Sequence, residues 1–281
     1  MINIKLIKTL IKNLRTIYKR GDIVHVNVTS SSAHCLLKDK VALVTGGTRG
    51  IGFAIAKKFV SEGAIVVITG RDEETLKNSV KKLSSSMVHY VVWDAVDFDS
   101  YKKNVSSLVE KFGDIDILVN NAGQYKPSDF LTCDVKTWES LYRTNSESTF
   151  FMCQVFCRLW LKTQGGKTRK IINISSQGGF TTANNAYRMT KWDIRGLTEW
   201  LGYSYSKNGI IVNGIAPGII MTDMQPKYVE FPDNYYTADN PTRRLGLPIE
   251  IAELALFLAS DVSNFIVGQT ILCDGGYTLK Y

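Results

Sequence analysis

Short apolar runs alternate with helical stretches along most of this chain, which limits the folds that it can adopt. Seven runs rich in β-branched residues predict strands buried on both faces of a sheet: Val41–Thr45, Ala64–Thr69, Val88–Trp93, Ile115–Asn120, Lys170–Ser175, Ile210–Ile215 and Thr270–Cys273. Helical stretches separate most of them: Ile51–Glu62, Asp72–Leu83, Ser100–Phe112, Val135–Leu161, Tyr187–Lys207 and Ile249–Leu258. Such alternation predicts an α/β fold, a single doubly wound domain whose seven-stranded parallel sheet carries helices on both faces.

Composition supports one folded domain. The chain has 281 residues, of which 44% are hydrophobic and 21% charged, so a sizeable core is expected. Its apolar runs fall short of the roughly 18 residues that a membrane-spanning helix needs. The five cysteines form no C-x-x-C pair. We therefore expect no metal site and a reducing compartment.

The basic residues are concentrated near the amino terminus. Residues 1–38 hold seven of the cations and one acid, Asp22, although the net charge of the whole chain is only +8. The rest is near neutral, so we expect no nucleic-acid partner. Residues 1–20 place their cations and apolar residues on opposite sides of a helix, so residues 1–37 are predicted to be a basic amphipathic extension. Two interpretations stay open: a leader outside the domain of a cytoplasmic protein, or a transit peptide for a mitochondrion or another organelle. The domain itself is expected over residues 38–281.

A glycine-rich turn joins the first strand to the first helix. It runs from Thr45 to Gly52 with the spacing G-x-x-x-G-x-G. Glycines allow a tight turn and a close approach to a pyrophosphate, and the free N–H groups of a helix start favour phosphate charge. We therefore predict dinucleotide binding by Gly46, Thr48, Arg49, Gly50, Ile51 and Gly52.

This glycine pattern resembles that of the short-chain dehydrogenase/reductase family. Further motifs of that family follow in order, namely Asn120–Gly123, Ile174–Ser176, Tyr187–Lys191, Pro217–Thr222, Arg244–Ala252 and Asp274–Gly276. The resemblance covers roughly residues 38–279 and implies an oxidoreductase with a Rossmann-type domain that assembles into a homotetramer or dimer. The C-terminal motifs are most similar to those of 3-oxoacyl-acyl-carrier-protein reductases.

The same resemblance identifies the catalytic residues. Tyr187 would give a proton to the oxygen of a carbonyl group whose carbon gains the hydride of a nicotinamide. Lys191, one helical turn later, should lower the pKa of Tyr187 by its charge, and the resemblance adds that it holds the nicotinamide ribose. Ser176 would polarise the carbonyl, although Ser175 is the alternative hydroxyl. Asn145 matches the fourth active-site residue of the family, which orders a water next to the lysine.

The second strand ends in a signal for the choice of cofactor. Family members that use NAD carry an Asp there, whereas this chain has Gly70 followed by Arg71. Arg71 and Arg49 suit a 2′-phosphate, so we predict NADP(H), with NAD(H) as the alternative. The resemblance adds further cofactor contacts at Asp94, Ala95, Asn121, Ala122, Gly123, Tyr187, Lys191, Pro217, Gly218, Ile220 and Thr222.

Substrate specificity is expected from the aromatic-rich loop 219–243, which would act as a lid. The leading hypothesis is a reductase of ketones or aldehydes, including 3-oxoacyl groups on acyl carrier protein. Lys167 and Arg169 are candidate cations for docking that acidic carrier, because Tyr203 stands where an arginine is usual. The alternatives are a dehydrogenase of sterols, sugars or polyols and a non-catalytic module that senses the nucleotide.

Overall fold

The computed structural model describes residues 35–163, 166–222 and 237–279. Most of the predicted N-terminal extension, residues 1–34, lies outside the described residues, as do residues 223–236 of the predicted substrate loop. Within these ranges no helix is long and apolar enough to cross a membrane.

Seven parallel strands form one sheet in the order β3-β2-β1-β4-β5-β6-β7, which confirms the predicted fold class. The strands are β1 (Val41–Val44), β2 (Ile65–Gly70), β3 (Val88–Val92), β4 (Ile117–Asn120), β5 (Arg169–Ile174), β6 (Ile210–Pro217) and β7 (Thr270–Cys273). Strands β2 and β3 are added on one side of β1, and β4 to β7 on the other side, so the strand order reverses between β1 and β4. In such sheets a crevice opens at the carboxyl ends of the strands at this reversal.

Helices cover both faces of the sheet. They are α1 (Gly50–Ser61), α2 (Glu73–Leu83), α3 (Tyr101–Phe112), α4 (Val135–Tyr142), α5 (Ser148–Lys162), α6 (Ala186–Tyr205) and α7 (Pro248–Ala259). Alternate strand residues point to opposite faces. Ala42 and Val44 therefore pack with Phe59 of α1 in one core cluster, and Leu43 packs with Phe156 of α5 in the other.

One predicted helix is interrupted. The sequence predicts a continuous helix over Val135–Leu161, but the structure contains a π-helical turn at Arg143–Glu147 between α4 and α5. A π turn accommodates an extra residue in the helix and is common at functional sites. The helical spacing of apolar residues over this long segment gave no sign of the π turn. The turn directs Asn145 inward, where its side chain is fully buried.

The chain enters the domain at the amino ends of the strands. Leu37 is fully buried in the core, and its N–H donates to the carbonyl oxygen of Glu62 at 3.0 Å, just after α1. The core therefore includes Leu37, one residue before the predicted domain start at residue 38. Since Val41 begins β1, this entry point lies at the amino ends of the strands, and the crevice lies at their carboxyl ends.

Candidate active site

A cleft of about 330 Å³ opens at the carboxyl ends of β1, β4, β5 and β6. Most of the predicted site residues line it: Gly46, Thr48, Arg49, Gly50, Ile51, Arg71, Asp94, Ala95, Asn121, Ala122, Gly123, Ser176, Tyr187, Lys191, Pro217, Gly218, Ile220 and Thr222. Two predicted residues, Gly52 and Asn145, do not line it. Among the described residues, no group of His, Cys, Asp or Glu side chains could hold a metal ion.

The glycine-rich turn needs its glycines for different reasons. Gly46 has a φ of +63°, and a Cβ there would lie 3.0 Å from the Cα of Ala122. A Cβ on Gly52 would lie 2.4 Å from the carbonyl oxygen of Gly46. Gly52 therefore lets α1 begin close against the turn, which explains why it lies behind the cleft wall.

Hydrogen bonds between Asn121 and Thr45 hold the glycine-rich turn in place. The Asn121 side-chain amide donates to the carbonyl oxygens of Thr45 and Gly46, each at 3.0 Å. In return, the Thr45 hydroxyl accepts the N–H groups of Asn121 and Ala122, also at 3.0 Å. We call these four bonds the loop clamp. Because the side chain of Asn121 holds the turn, its amide is already committed to the protein backbone.

Tyr187, Ser176 and Lys191 converge in the cleft. Helix α6 begins at Ala186, with the Asn185 side chain accepting the N–H of Arg188 at 2.9 Å. This cap places Tyr187 in the first turn. The Lys191 Nζ lies 5.6 Å from the centroid of the Tyr187 ring.

Burial governs the protonation of this group. Desolvation raises the pKa of Tyr187, and the nearby Ser176 hydroxyl lowers it by less. Desolvation also lowers the pKa of Lys191 to about 8. The Lys191 Nζ donates to the carbonyl oxygen of Ile174 at 3.0 Å. Burial therefore keeps Tyr187 protonated in this structure, and the lowering of its pKa by the charge of Lys191 stays a prediction.

The two serines after β5 have different surroundings. The Ser175 hydroxyl is buried and donates to the backbone oxygen of Lys191 at 2.8 Å, so it ties α6 to the sheet. The Ser176 hydroxyl accepts the N–H of Gly178 at 3.1 Å, and it lowers the pKa of Tyr187. Ser176 therefore suits the preferred role of working hydroxyl better than Ser175, and that role stays a prediction.

Asn145 holds the segment that follows β4. Its Oδ1 accepts the N–H of Gln124 at 2.9 Å, and its Nδ2 donates to the Gln124 carbonyl oxygen at 3.0 Å and to the Thr190 hydroxyl at 3.2 Å. A Cβ added to Gly123 would lie 3.3 Å from Asn145 Oδ1 and 3.8 Å from Lys191 Nζ. Asn145 therefore lies close behind the lysine, but its carboxamide is already bonded to protein groups.

A family model described as Enoyl-(Acyl carrier protein) reductase matches residues 45–278, which include every part of this cleft. The chain belongs to the short-chain dehydrogenase/reductase family. Members of this family are oxidoreductases that use NAD(P), so the cleft is that of an enzyme.

Individual relatives differ in what their names say they act on. The chain is 38% identical over 246 residues to the 3-oxoacyl-(acyl-carrier-protein) reductase FabG of Chlamydia muridarum, covering 86% of this chain and 98% of that protein. It is 34% identical to the 3alpha-hydroxysteroid dehydrogenase of Mediterraneibacter gnavus, covering 85% and 97%. The solved RhlG/NADP active-site complex of Pseudomonas aeruginosa superposes with a TM-score of 0.81 at 30% identity, covering 88% and 100%.

The residues predicted to select the cofactor line the cleft. Arg71, which follows Gly70, and Arg49 are both exposed there. Asp72, the next residue, accepts the N–H of Thr75 at 2.8 Å as the cap of α2. The nearest acid in sequence is therefore used to start a helix.

The candidate carrier-docking cations do not face this cleft. Arg169 begins β5 at the amino ends of the strands, away from the cleft. It is buried there and paired with Asp114 and Asp116. Lys167 also pairs with Asp114, at 3.3 Å. The expectation that Arg169 is a free docking cation is wrong, because two carboxylates already neutralise it.

Sequence reasoning missed several residues around the site. Gln124 and Thr144 line the cleft, and Tyr125 lies edge-on to Tyr187 with ring centroids 5.1 Å apart. Gln124 and Tyr125 directly follow the motif that ends at Gly123, and this position could have predicted that they lie at the site. Thr144 offered none, because its orientation depends on the π turn.

Proposed function

We propose that this enzyme is an NADPH-dependent reductase that converts a ketone or aldehyde into an alcohol, with Tyr187 as the acid. One observation carries the proposal: Tyr187, Ser176 and Lys191 line the same cleft, with the Lys191 ammonium 5.6 Å from the centroid of the Tyr187 ring. Burial also raises the pKa of Tyr187. When a hydride adds to a carbonyl carbon, the carbonyl oxygen becomes an alkoxide that needs a proton, and a protonated tyrosine supplies it.

The cleft fits a dinucleotide. The positive φ of Gly46 and Gly50 opens backbone N–H groups at the start of α1, where a pyrophosphate is favoured. Arg71 and Arg49 would bind a 2′-phosphate at the far end. When bound, the nicotinamide supplies the hydride.

The chain's own groups handle the proton. Ser176 would donate to the carbonyl oxygen and polarise it, while Tyr187 gives its proton as the alkoxide forms. Lys191, with its pKa lowered to about 8, is still mostly charged at pH 7 and stabilises the phenolate that remains. Its bond to the Ile174 carbonyl oxygen fixes the ammonium behind the tyrosine.

Substitution of Tyr187 tests the proposal. Tyr187→Phe should reduce kcat for ketone reduction by at least about 100-fold, because only the transferable proton is lost. NADPH affinity, followed by its fluorescence, should stay nearly unchanged. Tyr203→Phe on the same helix is the matched control, since Tyr203 is 87% exposed. Wild-type turnover by Tyr187→Phe would contradict the mechanism.

The substrate is proposed only as a class. Relatives named for 3-oxoacyl, hydroxysteroid and gluconate substrates favour carbonyl groups of small molecules or of acyl chains on a carrier protein. The same names support a second candidate, the oxidation of a sterol or sugar alcohol. Initial rates with NADPH and a carbonyl panel, compared with NADP⁺ and the matching alcohols at pH 7, would decide the direction.

We also propose that the enzyme is a homo-oligomer, a tetramer or a dimer. Helices α5 and α6 expose large apolar side chains: Phe150, Phe151, Trp192, Trp200 and Tyr203. Large apolar side chains exposed together on two helices favour a protein interface there. Light scattering of the purified chain measures the assembly, and a monomeric mass would contradict the proposal.

A further inference from the structure

Tyr125 is the aromatic side chain in contact with the proposed acid. Its ring stands at 85° to the ring of Tyr187, with the centroids 5.1 Å apart. Tyr125 is nevertheless 42% exposed. One part of the ring therefore covers Tyr187, while the rest stays open beside the tyrosine that would hold a substrate.

The residues on both sides of Tyr125 are fixed to helix α4. The Gln124 amide donates to the Ser140 hydroxyl at 2.7 Å, and the Lys126 Nζ donates to the same hydroxyl at 3.0 Å. Asn145 additionally binds both the N–H and the carbonyl oxygen of Gln124. Tyr125 is thus held on a braced segment, so its ring offers a surface that needs little ordering when a ligand arrives.

The position of the ring determines which part of a substrate it would touch. A carbonyl oxygen bonded to the hydroxyls of Tyr187 and Ser176 would bring its carbon substituents beside Tyr187, and the Tyr125 ring contacts Tyr187 from the side. Aromatic rings attract other flat rings in edge-to-face or offset contacts, beyond the effect of buried area. A flexible chain at this position would also lose rotamer freedom on binding.

We propose that Tyr125 is a specificity-determining residue that favours carbonyl substrates with a flat ring attached to the carbonyl carbon. The inference rests on the proposed reductase function and deepens it. The contact is made by the ring of Tyr125 and does not need its hydroxyl.

Two ketones with the same number of carbons test this. Acetophenone carries a ring on the carbonyl carbon, and 2-octanone carries a linear chain. Wild-type enzyme should have the higher kcat/KM for acetophenone, and Tyr125→Ala should reduce the acetophenone to 2-octanone ratio about tenfold, as an aromatic contact of about 1.4 kcal/mol predicts. Tyr125→Phe should keep the wild-type ratio. Phe130→Ala is the matched control, because Phe130 lies on the same segment but is 80% exposed.

The outcomes separate this inference from the proposed function. NADPH oxidation with an unchanged ratio in Tyr125→Ala overturns the inference alone, as does equal loss in Tyr125→Phe, which would assign the effect to the hydroxyl. A wild type that prefers 2-octanone also overturns it. Absence of NADPH oxidation with every carbonyl tested overturns the proposed function and the inference together.

Discussion

Two buried lysines, Lys191 and Lys170, lie near opposite ends of strand β5. Lys191 donates to the Ile174 carbonyl oxygen at 3.0 Å, and Lys170 donates to the Ser263 hydroxyl at 3.2 Å. Desolvation lowers the pKa of each to about 8. Burial and a lowered pKa are therefore the same at both ends and do not by themselves identify an active site.

The neighbours of the two lysines differ. Lys191 lies in the cleft with Tyr187, while Lys170 faces Ser263, with Asp261 raising and Lys40 lowering its pKa. Lys191 thus lies beside a hydroxyl that a substrate can reach, whereas the partners of Lys170 among the described residues are structural. The comparison shows that the chemistry depends on what shares the space with a perturbed lysine.

The largest expected effect comes from removing each lysine in turn. Lys191→Met should reduce kcat/KM for carbonyl reduction by at least about 100-fold, since the phenolate loses its cation. Lys170→Met should stay within about twofold of wild type, because it is remote from the cleft. Circular dichroism of both variants checks that they fold. An equal loss of kcat/KM in the two folded variants would show that the two lysines do not differ in function.

The pH dependence sharpens the same comparison. Charged Lys191 is present below its pKa of about 8, so kcat/KM for reduction should be constant near neutral pH and fall about tenfold per pH unit above 8. Lys170→Met should keep this alkaline limb. Lys191→Arg should move the limb to higher pH in whatever activity it retains, because a guanidinium stays charged. A limb unchanged in Lys191→Arg would show that another group titrates.

A smaller effect is expected at the cofactor end of the cleft. NADPH should be preferred to NADH by about tenfold, because one hydrogen bond from Arg71 to a 2′-phosphate contributes about 1.5 kcal/mol. Arg71→Ala should remove most of this preference, and added salt should weaken it because the side chain is exposed.

Gly70→Asp should shift the preference further toward NADH. The new Cβ would lie 3.0 Å from Thr48 Cγ2, so a small shift of that methyl accommodates it. The measurement is kcat/KM for both cofactors in wild type, Arg71→Ala and Gly70→Asp. Equal use of NADH and NADPH by the wild type would refute the cofactor proposal.

The smallest effect is expected from deleting residues 1–36. Leu37 enters the domain at the amino ends of the strands, whereas Lys191 lies at the carboxyl end of β5. Kinetic constants should therefore stay within about twofold of the full chain. Loss of folding would show that residues 1–36 are part of the domain. A reporter fused to residues 1–37 would separate a transit peptide, which enters an organelle, from the cytoplasmic alternative.

The strands, the glycine-rich turn and the pairing of Tyr187 with Lys191 could be predicted because each depends on local spacing. The side-chain environments could not. Ser175 and Ser176 are adjacent and chemically equal, and only the docking of α6 on β5 separates them. Likewise, the burial of Arg169 between two carboxylates depends on residues more than fifty positions away.

The π turn between α4 and α5 has a consequence for insertions and deletions. An α-helix advances about 100° per residue, so removing one residue from Arg143–Glu147 would rotate α5 against α4 by that angle. Asn145 would then leave Gln124, and Tyr125 would lose its bracing. We expect this segment to tolerate substitutions at exposed sites but no change in length. The surface loops of the same enzyme should tolerate both.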